Sequence, residues 1–127
     1  MSLDITPQVP KGRQIVKAYG EGGFSITGKA HSGSVLVFLD ETLPWSVVCD
    51  GDITLDALEP VIKHPSKPDI LVLGCGPSFM LPSDELRAGL KAHGIVLEWM
   101  DTAAACRTYN VLAIEERAVA AALIAVD

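Results

Sequence analysis

The chain has 127 residues, 49% of them hydrophobic, which suits one domain with a sizeable core and argues against general disorder. Sixteen acidic and ten basic residues give a net charge of −6, and the basic residues are scattered singly, so we expect neither nucleic acid nor an anionic membrane surface as a partner. No apolar run reaches the roughly 18 residues of a membrane span, and no secretion signal is recognisable, so we expect a cytoplasmic protein.

The first third of the sequence predicts an antiparallel, β-rich region. Residues 1–12 contain two prolines and no periodicity, which predicts an extended arm ahead of a single α/β domain over residues 13–127. Alternation of apolar residues and glycine-rich turns then indicate several short strands. These are a hairpin of residues 14–19 and 24–28, a buried strand over 33–39 ending at Asp40, and a short strand over 45–48.

The rest of the chain alternates strands with helices. Asp56 and Glu59 have the spacing of a capping box, which predicts a short helix near residues 62–63 with Pro60 in or near its first turn. The next segments are a wholly apolar strand over 70–73, a helix from the cap Ser83 to the stop Gly94, a strand over 95–99, a helix from Asp101 to about Glu115, and a buried strand over 119–126.

This order predicts an α/β fold whose C-terminal half is a Rossmann-like strand–helix–strand–helix–strand unit. The crossover helix makes the strands that begin at residues 70 and 95 parallel neighbours. Together with the antiparallel first third, the central sheet is therefore expected to be mixed.

The carboxyl ends of these two parallel strands mark where a ligand site is expected. The turn over residues 74–78 and the helix that begins at Asp101 face each other there, at the edge where open α/β sheets usually bind ligands. The candidate residues are Gly74, Cys75, Gly76, Ser78, Asp101, Thr102, Arg107 and Asn110. The structural alternative is that the glycines form only a tight turn, that Asp101 caps its own helix and that Arg107 is solvated. The turn lacks the third glycine of a dinucleotide fingerprint, so no cofactor is indicated.

The cysteines and histidines suggest no metal centre. Cys49, Cys75 and Cys106 are odd in number and form no CxxC pair, a pattern typical of reduced cytosolic thiols, and the histidines are isolated. Cys75 and Cys106 are candidates for a reactive or redox-sensing thiol, although a buried inert thiol is the ordinary alternative. Asp40 and Trp45 are secondary candidates, either as a recognition corner or as a strand-end turn over a core tryptophan.

Several strings together resemble one known family. They are YGEGGF (19–24), GSVLV (33–37), Trp45, DILVLGCGP (69–77), MDTAAACRTYNVL (100–112) and VAAALI (119–124). In order and spacing they are similar to a small domain of unknown function shared by bacterial and archaeal proteins. The same domain occurs in the mitochondrial complex I assembly factor three and in the adipogenesis-associated domain protein. The resemblance covers roughly residues 13–126, with Ala18 standing where a glycine is frequent.

The resemblance implies a three-layer α/β fold with a mixed central sheet and an extra β layer, and it implies no established enzymatic activity. The eukaryotic member acts as an assembly factor through protein partners. We therefore expect a soluble, non-catalytic protein-binding or assembly-factor-like domain with an exposed apolar patch, and self-association is compatible with the composition. The alternative is a small-ligand-binding protein or enzyme that uses the crevice between residues 74–78 and 101–110.

Overall fold

The computed structural model describes residues 12–127, so the arm expected over residues 1–12 lies almost wholly outside the described residues. Strands and helices follow one another along the described part of the chain. They are β1 (Val16–Gly20), β2 (Gly23–Ile26), β3 (Lys29–Ser32), β4 (Val35–Val37), β5 (Thr42–Pro44), α1 (Glu59–Ile62), β6 (Ile70–Gly74), α2 (Asp84–Ala92), β7 (Val96–Met100), α3 (Thr102–Ile114) and β8 (Val119–Leu123), with 3-10 turns at Asp50–Asp52 and Asp56–Leu58.

The strands form two sheets. One is a three-stranded antiparallel sheet in the order β1-β2-β3, and the other has five strands in the order β5-β4-β8-β6-β7. β6 pairs in parallel with both β7 and β8, whereas β4 pairs antiparallel with β8 and β5. The prediction of a mixed sheet, with parallel strands beginning near residues 70 and 95, is confirmed.

Alternate residues of the central strands point to opposite faces of the larger sheet, and each face has its own core. On β6, Leu71 and Leu73 pack in the cluster that includes residues of α1 and α2, whereas Val72 packs with α3 and the smaller sheet. Ala105 of α3 and Ala121 of β8 share the second cluster, and their small side chains let the helix lie close to the sheet. The three layers are therefore α1 and α2 on one face, the larger sheet in the middle, and α3 with the smaller sheet on the other face.

The smaller sheet is built by two tight turns. Glu21 and Thr27 both have positive φ and each precedes a positive-φ glycine, the pattern of a type I′ hairpin. For the β-branched Thr27 this conformation is unfavourable, and its hydroxyl compensates by donating to the Arg13 carbonyl at 3.0 Å and accepting from the Ile15 N–H at 2.8 Å. The second turn leads into β3, a strand that the sequence analysis did not predict.

Two local predictions between β4 and β6 are wrong. The short strand expected over residues 45–48 does not form in the described chain; the strand there is β5, which ends at Pro44. Asp56 does not cap the short helix, because the Thr54 hydroxyl accepts the Ala57 N–H instead, at 3.2 Å, and a 3-10 turn precedes α1.

The signals at the ends of α2 were stronger and are confirmed. Ser83 caps the helix by accepting the Leu86 N–H at 3.1 Å, and Gly94 adopts the left-handed conformation just after it. The last strand is shorter than predicted and ends at Leu123: the Ile124 N–H makes the last bond to β6, at the Gly74 carbonyl, and the Ile124 carbonyl accepts the Thr102 hydroxyl instead of continuing the ladder.

Candidate functional site

Direct contact joins the turn after β6 to the start of α3, where a crevice was expected. Gly74 ends β6 so close to the helix that a Cβ on it would lie 2.8 Å from Thr102 Cα. Thr102 is fully buried, and its N–H donates to the Gly76 carbonyl at 2.9 Å. Its hydroxyl accepts the Gly76 N–H at 3.1 Å and donates to the Ile124 carbonyl at 2.8 Å. Gly74, Gly76, Thr102 and Ile124, here called the strand-end cluster, favour the structural interpretation of this turn.

The other candidates on α3 divide between structural roles and the surface. Asp101 caps the helix by accepting the Ala104 N–H at 2.8 Å, as the structural alternative predicts. Asn110 does not contact the turn; its side chain forms hydrogen bonds with the backbone of Val16 in β1. Arg107 is exposed, and it lines a shallow depression of about 250 Å³ together with Thr108, Val111 and Leu112. The structure therefore does not bring Arg107 and Asn110 to the turn at residues 74–78.

Tyr109 and Asn110 hold the N-terminal strand against the helix. The carboxamide of Asn110 accepts the Val16 N–H at 2.9 Å and donates to the Val16 carbonyl at 2.8 Å. The buried Tyr109 hydroxyl donates to the Gln14 carbonyl at 2.8 Å and approaches the Phe38 carbonyl at 3.3 Å. Burial raises the pKa of Tyr109 well above its usual value. The side chains of Tyr109 and Asn110 thus have structural roles.

Two of the three thiols, those of Cys75 and Cys106, are buried. Cys75 is buried, and its thiol lies 3.5 Å from the Ser78 carbonyl, which closes the turn. Burial raises the pKa of the Cys106 thiol to about 12, against a weaker opposing effect of Arg107. A nucleophile or redox sensor needs a lowered pKa, so the geometry favours the inert alternative for Cys106. Cys49 is exposed, with its thiol 3.3 Å from an Asp52 carboxylate oxygen.

The secondary candidates are separated by burial. Trp45 is buried, and its indole N–H donates to the Ala57 carbonyl at 2.9 Å, so the side chain serves the core. Asp40 is exposed. Among residues 12–127, no group of three or more His, Cys, Asp or Glu side chains is arranged to hold a metal ion.

A broad depression of about 460 Å³ lies on the smaller sheet. Its lining residues are mostly small: Ala18, Tyr19, Gly20, Glu21, Gly23, Phe24, Ser25, Ala30 and His31. Partial burial, with Lys29 nearby, lowers the pKa of His31. Four of its lining side chains carry polar groups, those of Tyr19, Glu21, Ser25 and His31.

Within residues 12–127, the longest run of exposed large apolar side chains follows the turn after β6. Residues 77–82, PSFMLP, connect β6 to α2 and are here called the apolar loop. Phe79, Met80 and Leu81 within it are 56%, 49% and 85% exposed. Single exposed apolar residues are ordinary on protein surfaces. Large contiguous patches of them, in contrast, mark sites that bind another protein, a membrane or a ligand.

Phe79, Met80 and Leu81 were not among the predicted site residues, although the sequence carries a signal for this loop. Three consecutive large apolar residues stand between Pro77 and Pro82, outside any strand or helix pattern. The three residues belong neither to β6, which ends at Gly74, nor to α2, which begins at Asp84. Only the neighbouring Ser78 was among the predicted site residues.

A second shallow depression adjoins the end of the apolar loop. It has a volume of about 240 Å³ and is lined by Ile53, Thr54, Leu55, Ser83, Glu85 and Leu86. Ile53 and Leu86 are buried and form an apolar floor, whereas Glu85 is exposed. Ser83 follows Pro82 directly, so the loop and this depression, here called the α2 depression, are continuous.

Comparison with known proteins gives consistent results. A family model described as "Protein of unknown function (DUF498/DUF598)" matches residues 16–124. The NADH dehydrogenase (ubiquinone) 1 alpha subcomplex assembly factor 3 of Danio rerio is 32% identical over 123 residues, which cover 97% of this chain and 71% of that protein. An uncharacterized protein of Rhodobacter capsulatus is 36% identical over 109 residues, covering 86% of this chain and 82% of its own.

The fold recurs in solved structures. A Bordetella pertussis protein described as a Mth938-like domain superposes with a TM-score of 0.80 at 28% identity, covering 98% of this chain and 92% of that one. This similarity agrees with the α/β architecture described above. No helix within residues 12–127 is long and apolar enough to cross a membrane.

Proposed function

The chain belongs to the DUF498/DUF598 family of proteins of unknown function, and from this membership we propose that it is a non-catalytic, protein-binding domain of the assembly-factor kind. The name of the zebrafish relative, an assembly factor of NADH dehydrogenase, supports a role in bringing other proteins together. The proposal covers protein binding and names no particular complex, because the same fold can carry different functions.

The observation that carries the proposal is the exposure of Phe79, Met80 and Leu81 in the apolar loop. Burial of apolar surface stabilises a complex by about 25 cal/mol per Å² removed from water, so three such side chains contribute substantially when a partner covers them. Aromatic residues and methionine are also enriched at the centres of protein interfaces. In the described chain these side chains serve no core, which leaves binding as the function that accounts for them.

The characteristic strings of the family also fit this interpretation. Asp101, Thr102, Tyr109 and Asn110 are each engaged in hydrogen bonds that hold the fold. These four side chains are therefore accounted for by the fold, without a reaction. We propose a cytoplasmic location, which the free thiols of Cys49, Cys75 and Cys106 support because free thiols are usual in a reducing compartment.

Site-specific photo-crosslinking in the host cell tests the proposal. A photoreactive amino acid replaces Met80 in the apolar loop, and a matched control places it at Val96, which is also exposed and apolar. We expect one or a few defined protein adducts from position 80, lost when Phe79 and Leu81 are changed to Ser, and a different or weaker pattern from position 96. Equal, diffuse crosslinking at both positions would contradict a binding role for the loop.

Deletion of the gene in the host tests the assembly role. We expect the deletion strain to contain less of an assembled multi-subunit complex on native gels. Expression of the wild-type chain should restore the amount of complex, and expression of the Phe79→Ser, Leu81→Ser variant should not. Unchanged complexes in the deletion strain would remove the support that the relatives' names give.

A further inference from the structure

The apolar loop and the α2 depression are flanked by carboxylates. Asp52 precedes Ile53 of the depression in sequence, and Asp84 and Glu85 follow Ser83. All three acidic residues are exposed. The ion pairs formed within residues 12–127, Lys63–Glu59 and His64–Glu41, involve none of them. This surface therefore combines apolar side chains with carboxylates that form no ion pair in the described chain.

The basic residue that follows these acids on α2 is directed elsewhere. Arg87 donates from Nη1 to the Leu97 carbonyl on β7 at 3.0 Å. β7 is an edge strand of the larger sheet, and Val96 rather than Leu97 donates its N–H toward β6, so the Leu97 carbonyl belongs to the open edge. Arg87 thus covers one acceptor of that edge, which makes addition of a partner strand there less favourable.

We propose that the apolar loop and the α2 depression together bind an amphipathic helix of a partner protein that carries Lys or Arg beside its apolar face. This inference rests on the proposed function and names the chemistry of the partner. Apolar side chains three and four residues apart on a helix form a continuous stripe, which matches a shallow apolar surface. Lysines or arginines along the stripe then lie opposite Asp52, Asp84 and Glu85.

Other occupants fit this surface less well. The α2 depression, at about 240 Å³, is smaller than most pockets that enclose a small molecule. An anionic membrane would meet repulsion from the same carboxylates. A second copy of the chain would bring like charges together, given its net charge of −6.

The test uses the full chain and two fluorescent synthetic helical peptides of about 18 residues, or five turns. Both peptides have the same leucine face, and their polar faces carry lysine in one and glutamate in the other. We expect binding of the lysine peptide by anisotropy, weakened about tenfold between roughly 0.05 and 0.5 M salt, and no binding of the glutamate peptide. The Asp84→Asn, Glu85→Gln variant should bind it at least about fivefold more weakly, a loss of about 1 kcal/mol.

A matched variant, Glu115→Gln and Glu116→Gln, removes two exposed carboxylates from the end of α3 and should bind as the wild type does. Circular dichroism must show the same fold for all variants. Equal weakening in both charge variants would overturn the inference, since it would mean attraction to net charge alone.

The outcomes separate this inference from the proposed function. One outcome is that the Phe79→Ser, Leu81→Ser variant loses its crosslinked partner while the Asp84 and Glu85 substitutions change nothing. In that case the partner does not present a basic helix, and the protein-binding function stands. If the loop variant keeps both peptide binding and crosslinks, the proposed function fails. Loop-dependent binding to phosphatidylglycerol vesicles, or loop-dependent dimerisation in sedimentation, without preference for the lysine peptide would also overturn the inference.

Discussion

One side chain of α3, that of Asn110, makes both hydrogen bonds to Val16 that a neighbouring β-strand would make. The two residues lie 94 positions apart in the chain. β1 is an edge strand of the smaller sheet, and the carboxamide satisfies one N–H and one carbonyl of that edge. The contact therefore joins the added β layer to the helix that covers the larger sheet.

Replacement of Asn110 by Asp should destabilise the fold even though the size is kept. A carboxylate still accepts the Val16 N–H, but it cannot donate to the Val16 carbonyl and places negative charge against it. We expect a loss of about 1–3 kcal/mol in the free energy of unfolding, measured by urea titration. Asn110→Gln, which keeps donor and acceptor on a longer side chain, is the comparison. An unchanged midpoint for Asn110→Asp would show that the bonds contribute little.

Gly74→Ala should be strongly unfavourable because of the strand-end cluster. The added Cβ would lie 2.8 Å from Thr102 Cα and 3.1 Å from Ala105 Cβ, so β6 and α3 must separate. Overpacking of this kind typically costs about 1–3 kcal/mol. Gly51→Ala, where a Cβ meets nothing within 4 Å, is the control and should change stability by less than about 0.5 kcal/mol. Similar melting temperatures for both variants would refute the close approach.

The three cysteines should differ widely in labelling rate. Cys49 is exposed, whereas Cys75 and Cys106 are buried. We expect iodoacetamide at neutral pH to modify Cys49 first and Cys106 only on global unfolding, since its raised pKa and its burial both suppress the thiolate. Mass spectrometry of peptides over time measures the order. Fast labelling of Cys106 in native protein would restore the reactive-thiol hypothesis.

Stability should fall in alkaline solution. Burial raises the pKa of Cys106 from 9.0 to about 12 and also raises that of Tyr109, so the folded state holds protons that the unfolded chain releases at lower pH. The contribution of Cys106 is complete below pH 9 and is lost as pH rises from there toward 12, whereas that of Tyr109 is lost only above pH 10, by at most about 1.4 kcal/mol per pH unit for each group. Cys106→Ala should lower stability at pH 7 and flatten the decline above pH 9, as urea midpoints across pH would report. An equal slope in the variant would assign the alkaline loss to other groups.

Local signals in the sequence predicted the C-terminal half well. Ser83, Gly94 and Asp101 act within a few residues of their own position, and the all-apolar run at β6 indicated a strand buried on both faces. β3 was missed because KAHS has neither apolar alternation nor β-branched residues; its strand conformation follows from pairing with β2. The expected α/β class and mixed sheet needed only the order of elements.

The site was harder to predict, because its residues act over long distances in the chain. The role of Asn110 depends on Val16, and that of Thr102 depends on Ile124, contacts for which no local pattern exists. The expectation that the ends of β6 and β7 lie side by side is confirmed by their pairing. No pattern in the sequence indicated that hydrogen bonds of Thr102 would fill the space where a crevice was expected.

The position of β8 has a consequence for synthesis. It is the last strand in chain order, yet it lies in the middle of the larger sheet between β4 and β6. Until residue 123 has left the ribosome, β4 and β6 lack the neighbour that joins them, and the backbone N–H and C=O groups of their facing edges stay unpaired. Formation of the larger sheet must therefore wait for β8, and a nascent protein arrested before β8 should be a substrate for chaperones rather than a partly native domain.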